Sequence, residues 1–382
     1  MKTIKTGVIG LGFIGPAHVE AVRRIGGAEV VAVADINQPA AKAYAAAHGI
    51  PKVYGDYREM LKDDSIEVVH NCTPNNMHYD VNCAVIARDK HIVSEKPLAM
   101  SSAESRKLVK IAAKSGLVNA VNFNYRHHPL MQQAATMVRK KQLGDVFAVH
   151  GCYTQDWLLY DTDWNWRISP KMGGPSRAIA DIGSHWFDLT QYLTGKRIVK
   201  VCADLFRLHN HRKKPKGEVA SFEGKTLRPS QYTKVRVTSE GYGHIMVEYD
   251  DGARGMVCVS QLSAGRKNHI FVEIDGTKQA IWWDQERPNE LVIGHRNEPN
   301  EILLKDPALM DKDVRDCAHY PGGHNEGYPT CIKNLFANVY RSVRNRRRKV
   351  DYPTFEDGHV ANAIVDAVLA SDKSKSWRNV KY

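Results

Sequence analysis

The chain has 382 residues, 43% of them hydrophobic and 25% charged, and a net charge of +12. That is more than one typical core and ordinary for a globular protein, so two domains are expected, and no apolar run approaches the ~20 residues of a membrane span. Seven scattered cysteines, odd in number and without a C-x-x-C pair, fit free thiols in a reducing cytoplasm better than a disulfide or zinc framework.

In chain order, residues 1–15 are glycine-punctuated and lack a cleavage-like site, so they are expected to be mature structure. Residues 4–9 are a short apolar strand, followed at once by Gly10-Leu11-Gly12-Phe13-Ile14-Gly15 and a helical stretch with Ala17, Ala21 and Ile25 on one face. A continuous apolar strand, 29–35, ends in Asp35, and 40–47 is helical by composition. Strand 65–72, helix 78–88 and strand 91–94 follow, then a helix around 103–115 and strand 117–123. Ser101 and Glu104 make a capping-box pattern for that last helix. Strands and helices alternating at this spacing predict a doubly wound parallel sheet, an α/β unit.

G-x-G-x-x-G between a strand and a helix, with an acid closing the next strand, is the dinucleotide fingerprint in its required context. The backbone of Gly10, Gly12, Phe13, Ile14 and Gly15 suits a pyrophosphate at the helix N-terminus. Asp35 would accept hydrogen bonds from the adenosine ribose and repel a 2′-phosphate, so NAD is favoured over NADP. Strand carboxyl ends line the ligand crevice of such sheets. Thr73, Pro74, Asn76 and His78 are therefore candidate cofactor contacts, and Glu95 and Lys96 should open onto the nicotinamide side.

After about residue 124 the pattern changes. Segments 146–153, 199–208, 233–238, 245–250 and 256–261 have strand character, with turn signals at Asp251-Gly252 and Asp275-Gly276. The expectation is a domain at 1–124 and a second, α+β domain at 125–382 with a largely antiparallel open sheet, closed by a helix over 359–371. Residues 209–230 are expected to form an exposed excursion. The basic clusters at 209–214 and 344–349 lack interleaved aromatics and are expected to be solvated loops, with no nucleic acid as partner. Asp181, His185 and Asp188 fall at i, i+4 and i+7, one face of a helix. An acid that orients an imidazole is what proton transfer needs, and removing hydride from an alcohol carbon requires loss of the hydroxyl proton.

With GLGFIG at 10–15, CTPNNMH at 72–78, EKP at 95–97 and DIGSHWFD at 181–188, the chain resembles the glucose–fructose oxidoreductase / inositol dehydrogenase (Gfo/Idh/MocA) family. The resemblance implies an N-terminal Rossmann domain and NAD(P)-dependent oxidation or reduction of a sugar or cyclitol hydroxyl. It implies that Lys96 contacts the reacting hydroxyl, often beside a cis Lys–Pro bond, and that Asp181 and His185 are the acid and histidine of the second motif. Tyr125, Arg126, Gln155, Trp164, Arg167 and His324 are candidate sugar contacts, because aromatic faces suit C–H bonds and polar groups suit hydroxyls. The stretch DWLLYDTDWNWR at 156–167 resembles the branch acting on pyranose sugars, anhydrosugars, inositols or glycosides. No metal is expected, since His127-His128 and His209/His211 lack the company of carboxylates or cysteines. A homodimer or homotetramer through the second-domain sheet is expected, and no membrane partner. Two alternatives remain: a redox-assisted glycosidase with tightly held NAD, and a non-catalytic NAD-sensing regulator, which should lack the lysine–histidine pair that this chain has.

Overall fold

The computed structural model describes residues 3–217, 227–345 and 350–382. The first part follows the expected alternation, with β3 and α3 added where no element was expected: β1 (Ile4–Ile9), α1 (Gly15–Arg23), β2 (Ala28–Ala34), α2 (Gln38–Ala47), β3 (Lys52–Tyr54), α3 (Tyr57–Met60), β4 (Val68–Asn71), α4 (Asn75–Ile86), β5 (His91–Ser94), α5 (Ser102–Ser115) and β6 (Asn119–Val121). All strand pairs are parallel, in the order β3-β2-β1-β4-β5-β6. The order reverses at β1/β4, and ligands of such sheets bind at the carboxyl ends of the strands around that switch. β4 and β5 are buried at every position, as strands covered on both faces must be. The Ser101 hydroxyl caps α5 by accepting the Glu104 N–H at 3.3 Å, and Gly116, with φ of +64°, ends the helix. The Glu104 carboxylate reaches the N–H of Met100, one residue before the cap, at 3.1 Å.

The chain continues with α6 (Pro129–Arg139), β7 (Val146–Thr154), α7 (Pro170–Gly173), a π-helical turn (Ile179–Gly183), α8 (Ser184–Thr194) and β8 (Ile198–Phe206). Then come β9 (His211–Pro215), β10 (Tyr232–Arg236), β11 (Tyr242–Tyr249), β12 (Arg254–Ser260), β13 (His269–Gly276), β14 (Ala280–Asp284), β15 (Glu290–Gly294) and β16 (Glu301–Leu304). α9 (Tyr328–Arg344), α10 (Phe355–Ser374) and β17 (Arg378–Asn379) close the chain. Nine strands form one sheet, β16-β15-β14-β13-β7-β12-β11-β8-β17, antiparallel except for the β7/β12 pair. Along β11, alternate residues are buried, so one face of the sheet packs on helices such as α8.

β9, inside the stretch 209–230 expected as an excursion, pairs antiparallel with β10, which overlaps the strand expected at 233–238; residues 218–226 of that stretch lie outside the described residues, as do 346–349 of the second basic cluster.

The chain divides into two compact units, residues 1–127 with 328–360, and 128–327 with 361–382. The expectation was a second domain running unbroken from 125 to 382. In α9, Ile332, Leu335, Phe336, Val339 and Tyr340 recur at the 3.6-residue period and join Val19, Val22, Val8 and Val68 in the core of the first unit. An apolar helix face must be buried somewhere, and the sequence does not say against which sheet.

Candidate active site

In the first unit the glycine loop follows β1. Gly10 has φ of +89°, and a Cβ there would meet the Cys72 carbonyl oxygen at 2.6 Å. A Cβ at Gly15 would lie 2.2 Å from the Gly10 carbonyl oxygen, while one at Gly12 would meet nothing within 4 Å. The first and third glycines are thus required by the turn and by close packing, and the second leaves the backbone open to a diphosphate. No side chain caps the first turn of α1, Phe13 is exposed, and Ile14 holds the cap position. The Asp35 carboxylate accepts the Leu11 N–H at 2.7 Å and the Asn37 N–H at 2.8 Å, which fixes it at the rim of this loop. These residues fit a dinucleotide.

At the end of β4, the Thr73 hydroxyl donates to Asn71 at 2.7 Å, Pro74 precedes α4, and Asn76 is exposed on its first turn. His78, expected to contact the cofactor, is buried instead. Its Nδ1 lies 2.6 Å from the Pro97 carbonyl and its Nε2 2.8 Å from the Thr73 carbonyl, so it ties the two strand-end loops together. Burial lowers its pKa. The Lys96–Pro97 bond is cis, and Lys96 is half-buried at the end of β5. Glu95 is buried rather than open to the crevice. Burial alone would raise its pKa, but the hydrogen bond from His18 and the charges of His18 and Lys96 bring it down to about 2.

In the second unit, Glu240 organises the π turn. Its Oε1 accepts the Ser176 hydroxyl at 2.8 Å and the N–H groups of Arg177 and Ile179 at 2.9 and 3.0 Å. The Ser184 N–H then reaches back five residues to the Ile179 carbonyl. The DIGSH segment is therefore a π turn running into α8, not one regular helix; such turns recur at functional sites. Asp181 and His185 are both buried. Asp181 accepts Gln261 Nε2 at 2.8 Å, and its other oxygen lies 3.3 Å from Arg167 Nε. The His185 ring stands 6.2 Å from that of Tyr153, and Asp188 is buried farther along α8. A carboxylate fixed by a cation and an amide, four residues before a buried imidazole, is suited to steering a hydroxyl proton.

The candidate sugar contacts divide. Gln155 donates to Asn268 at 3.0 Å and accepts the Trp157 indole N–H at 2.9 Å. Trp164 packs on Leu158, Ile168 and Val237, with the Lys214 ammonium 5.6 Å from its ring centre. His324 is exposed, in a loop held by the buried Lys305–Glu326 ion pair at 2.9 Å. In the first unit, the Tyr125 ring lies 6.2 Å from that of Tyr328, and Arg126 donates to Asp357 at 2.8 Å, a structural ion pair.

Sequence reasoning missed Gln261, Glu240 and, above all, Arg212. The basic segment read as a solvated loop clamps the loop before Trp164. Arg212 is buried and donates to the carbonyls of Leu158 and Tyr160 at 2.6 Å each and of Asp163 at 3.0 Å. His209 Nε2 lies 2.8 Å from the Leu159 carbonyl, and the Lys213 N–H donates to that of Asp161 at 2.8 Å. Burial lowers the Arg212 pKa to about 10, which leaves it charged at neutral pH. Also missed was a half-buried trio on β7 and β13, in which His150 lies 3.8 and 3.5 Å from the Glu273 and Asp275 carboxylates.

A glycine loop at the switch point of a parallel sheet, joined in one chain to an acid–histidine turn on a large open sheet, defines a nicotinamide-dependent oxidoreductase. The family description "Oxidoreductase family, NAD-binding Rossmann fold" matches residues 4–123, and "GFO/IDH/MocA C-terminal domain" matches 131–282. The chain belongs to the Gfo/Idh/MocA family, with an NAD-binding Rossmann domain, and is an NAD(P)-dependent oxidoreductase of sugar or cyclitol CH–OH groups. It is 29% identical over 402 residues to levoglucosan dehydrogenase of Pseudarthrobacter phenanthrenivorans, covering 100% of this chain and 99% of that protein. It is 32% identical over 152 residues to inositol 2-dehydrogenase of Salmonella paratyphi B, covering 39% and 45% of the two chains. A solved levoglucosan dehydrogenase in complex with NADH and L-sorbose superposes with a TM-score of 0.89 at 26% identity, over all of both chains. Among the described residues no helix is long and apolar enough to cross a membrane.

Proposed function

We propose that this protein is an NAD-dependent dehydrogenase that oxidises a secondary hydroxyl of a pyranose-like sugar, glycoside or inositol. The observation that carries the reading is the Arg167–Asp181–Gln261 arrangement, with the buried acid on the π turn and the buried His185 four residues on in the first turn of α8. The nicotinamide, when bound, accepts the hydride. His185 takes the hydroxyl proton, as the side-chain type that ordinarily titrates near neutrality. Lys96 holds the reacting oxygen and stabilises developing alkoxide charge. Asp181, neutralised by Arg167, orients the imidazole or the substrate. Gln155, Trp164, Arg167 and His324 are assigned to the sugar, while the partners of Tyr125 and Arg126 give them a supporting part. The levoglucosan relative, matched end to end, favours a compact pyranose or anhydrosugar. Asp35 at the loop rim favours NAD over NADP.

The same reading includes self-association with a second copy through the open face of the large sheet. Met246 and Met256 pair across β11/β12 there, 46% and 52% exposed, in one row with Ile302. The seven free thiols fit a cytoplasmic setting. The test is a panel of sugars, anhydrosugars and cyclitols with NAD and with NADP, followed by absorbance of the reduced cofactor. Net reduction with at least one pyranose or cyclitol is expected. Release of an aglycone without net reduction would replace this reading with the redox-assisted glycosidase.

A further inference from the structure

The first unit holds a line of buried polar side chains that the hydroxyl chemistry does not use. It starts at Glu95, just after β5. The Glu95 Oε1 lies 3.0 Å from His18 Nε2 and accepts the Asn122 amide at 2.6 Å. His18 Nδ1 lies 2.9 Å from His70 Nδ1, His70 Nε2 lies 2.9 Å from the Tyr340 hydroxyl, and that hydroxyl lies 2.6 Å from the Thr6 hydroxyl. The links come from α1, β4, α9 and β1 in turn. His18, His70, Tyr340 and Thr6 are 0% exposed and Glu95 is 7% exposed, so a proton enters at the Glu95 end and the far end leads nowhere.

The geometry fixes the proton count to two values. Glu95 accepts the Asn122 amide at Oε1, 2.6 Å, and the Lys96 N–H at Oε2, 3.4 Å, so it stands as a carboxylate that only accepts, and His18 Nε2 carries a hydrogen. The two facing Nδ1 atoms share one proton, since two would clash and none would repel. If His70 carries it, then His70 Nε2 accepts from Tyr340, and Tyr340 accepts from Thr6; the line has a charge of −1. If His18 carries it, His18 is an imidazolium, His70 Nε2 donates to Tyr340, and Tyr340 donates to Thr6. The line then holds one more proton and is neutral. Every link is satisfied in both arrangements, because the two hydroxyls at the end reverse by rotation and His70 by changing tautomer.

We propose that the Glu95–His18–His70–Tyr340–Thr6 line is a one-proton charge buffer beside the cofactor site, emptied when oxidised cofactor is bound and loaded when reduced cofactor is bound. This rests on the reading of the β5 end as the nicotinamide side. A cationic ring favours a negative line next to Lys96, and a neutral ring favours a neutral one. His70 stays neutral in both arrangements, in keeping with burial and then the neighbouring His18 holding its pKa well below the ordinary value. The other titratable groups that face the line are Lys96, Cys72 and His78 around Glu95, and Arg344 near Tyr340. Burial, then Glu95, keeps Cys72 a neutral thiol. Phe336 fills the remaining side, with its ring centre 4.8 Å from that of His18 and 4.7 Å from that of His70.

Linkage makes this measurable without substrate. Binding of NAD and of NADH to the purified enzyme is titrated from pH 5.5 to 8.5, with proton uptake followed in parallel. The ratio Kd(NAD⁺)/Kd(NADH) is expected to fall as pH rises, by at most about tenfold per pH unit for one proton. NADH binding should take up more protons than NAD⁺ binding. His70→Phe removes the acceptor of the loaded state and should flatten the ratio. In the unaltered protein, ¹⁵N signals of the histidine rings should show His70 exchanging its protonated nitrogen between the two cofactor complexes, so a misfolded variant does not remove the test. A pH-independent ratio, or one tautomer of His70 in both complexes, overturns the proposal. Neither result bears on the dehydrogenase reading, which the sugar panel decides separately.

Discussion

Replacing Arg212 with methionine should uncouple the substrate loop from the rest of the second unit. The side chain is buried and serves three carbonyls of residues 158–163, those of Leu158 and Asp163 through buried bonds and that of Tyr160 through a part-buried one, so its loss breaks three bonds and strands two buried acceptors. At about 1.5 kcal/mol for each of the three bonds to a charged donor, the cost is about 4.5 kcal/mol. The damage should be local before it is global, because the loop leads directly to Trp164 and to Arg167, the cation that holds Asp181. Misplacing a catalytic group by about 1 Å costs up to about a hundredfold, so kcat/KM for the sugar should fall about tenfold to a hundredfold. NADH affinity, measured by fluorescence, should stay within about twofold, and Tm should drop by about 5–10 °C. Arg212→Lys should recover only part of this, since one ammonium cannot reproduce the two-pronged contact. Wild-type kcat/KM and Tm in Arg212→Met would refute the clamp and return the basic segment to the solvated surface.

Wild-type enzyme should prefer NAD to NADP by about tenfold to a hundredfold in kcat/KM, and Asp35→Ser should narrow that gap; equal efficiency with NADP in the unaltered enzyme would reject the assignment of Asp35. Lys96→Ala and His185→Ala should each lower kcat by about 10²–10⁴ with NADH affinity nearly intact, and the double variant should lose less than the product of the two. A pH scan of urea unfolding tests Glu95. Its folded pKa of about 2 lies below the unfolded value of about 4.3, so its stabilisation is complete above pH ~4.3 and is lost as pH falls towards 2. The shift corresponds to about 3 kcal/mol, so wild type should lose more stability between pH 5 and pH 2 than Glu95→Gln, and parallel curves would contradict the depressed pKa.

The sequence by itself determined five strands of the first sheet, all but the short edge strand β3, and its cofactor loop. Buried parallel strands are continuous apolar runs, glycines at 10 and 15 are demanded by local backbone and Gly12 leaves it open to a diphosphate, and Asp35 follows the strand that places it at the loop; all of this lies within a few residues of chain. The acid and histidine of the second unit were legible for the same reason, as two side chains four residues apart. Only the tertiary structure decided what those groups lean on. Asp181 is held by Gln261, 80 residues away, and Arg212 reaches back 54 residues to Leu158. His18 meets His70 and Glu95 across 52 and 77 residues, and Tyr340 meets Thr6 across 334. A periodic pattern says that a face will be buried or that a cation will need acceptors. It does not say which distant surface supplies them, because that choice is made by the packing of the whole chain. So α9 showed a clear apolar stripe yet gave no sign that it would return to the first unit, and a run of cations looked solvated although its central arginine is among the most buried side chains in the protein.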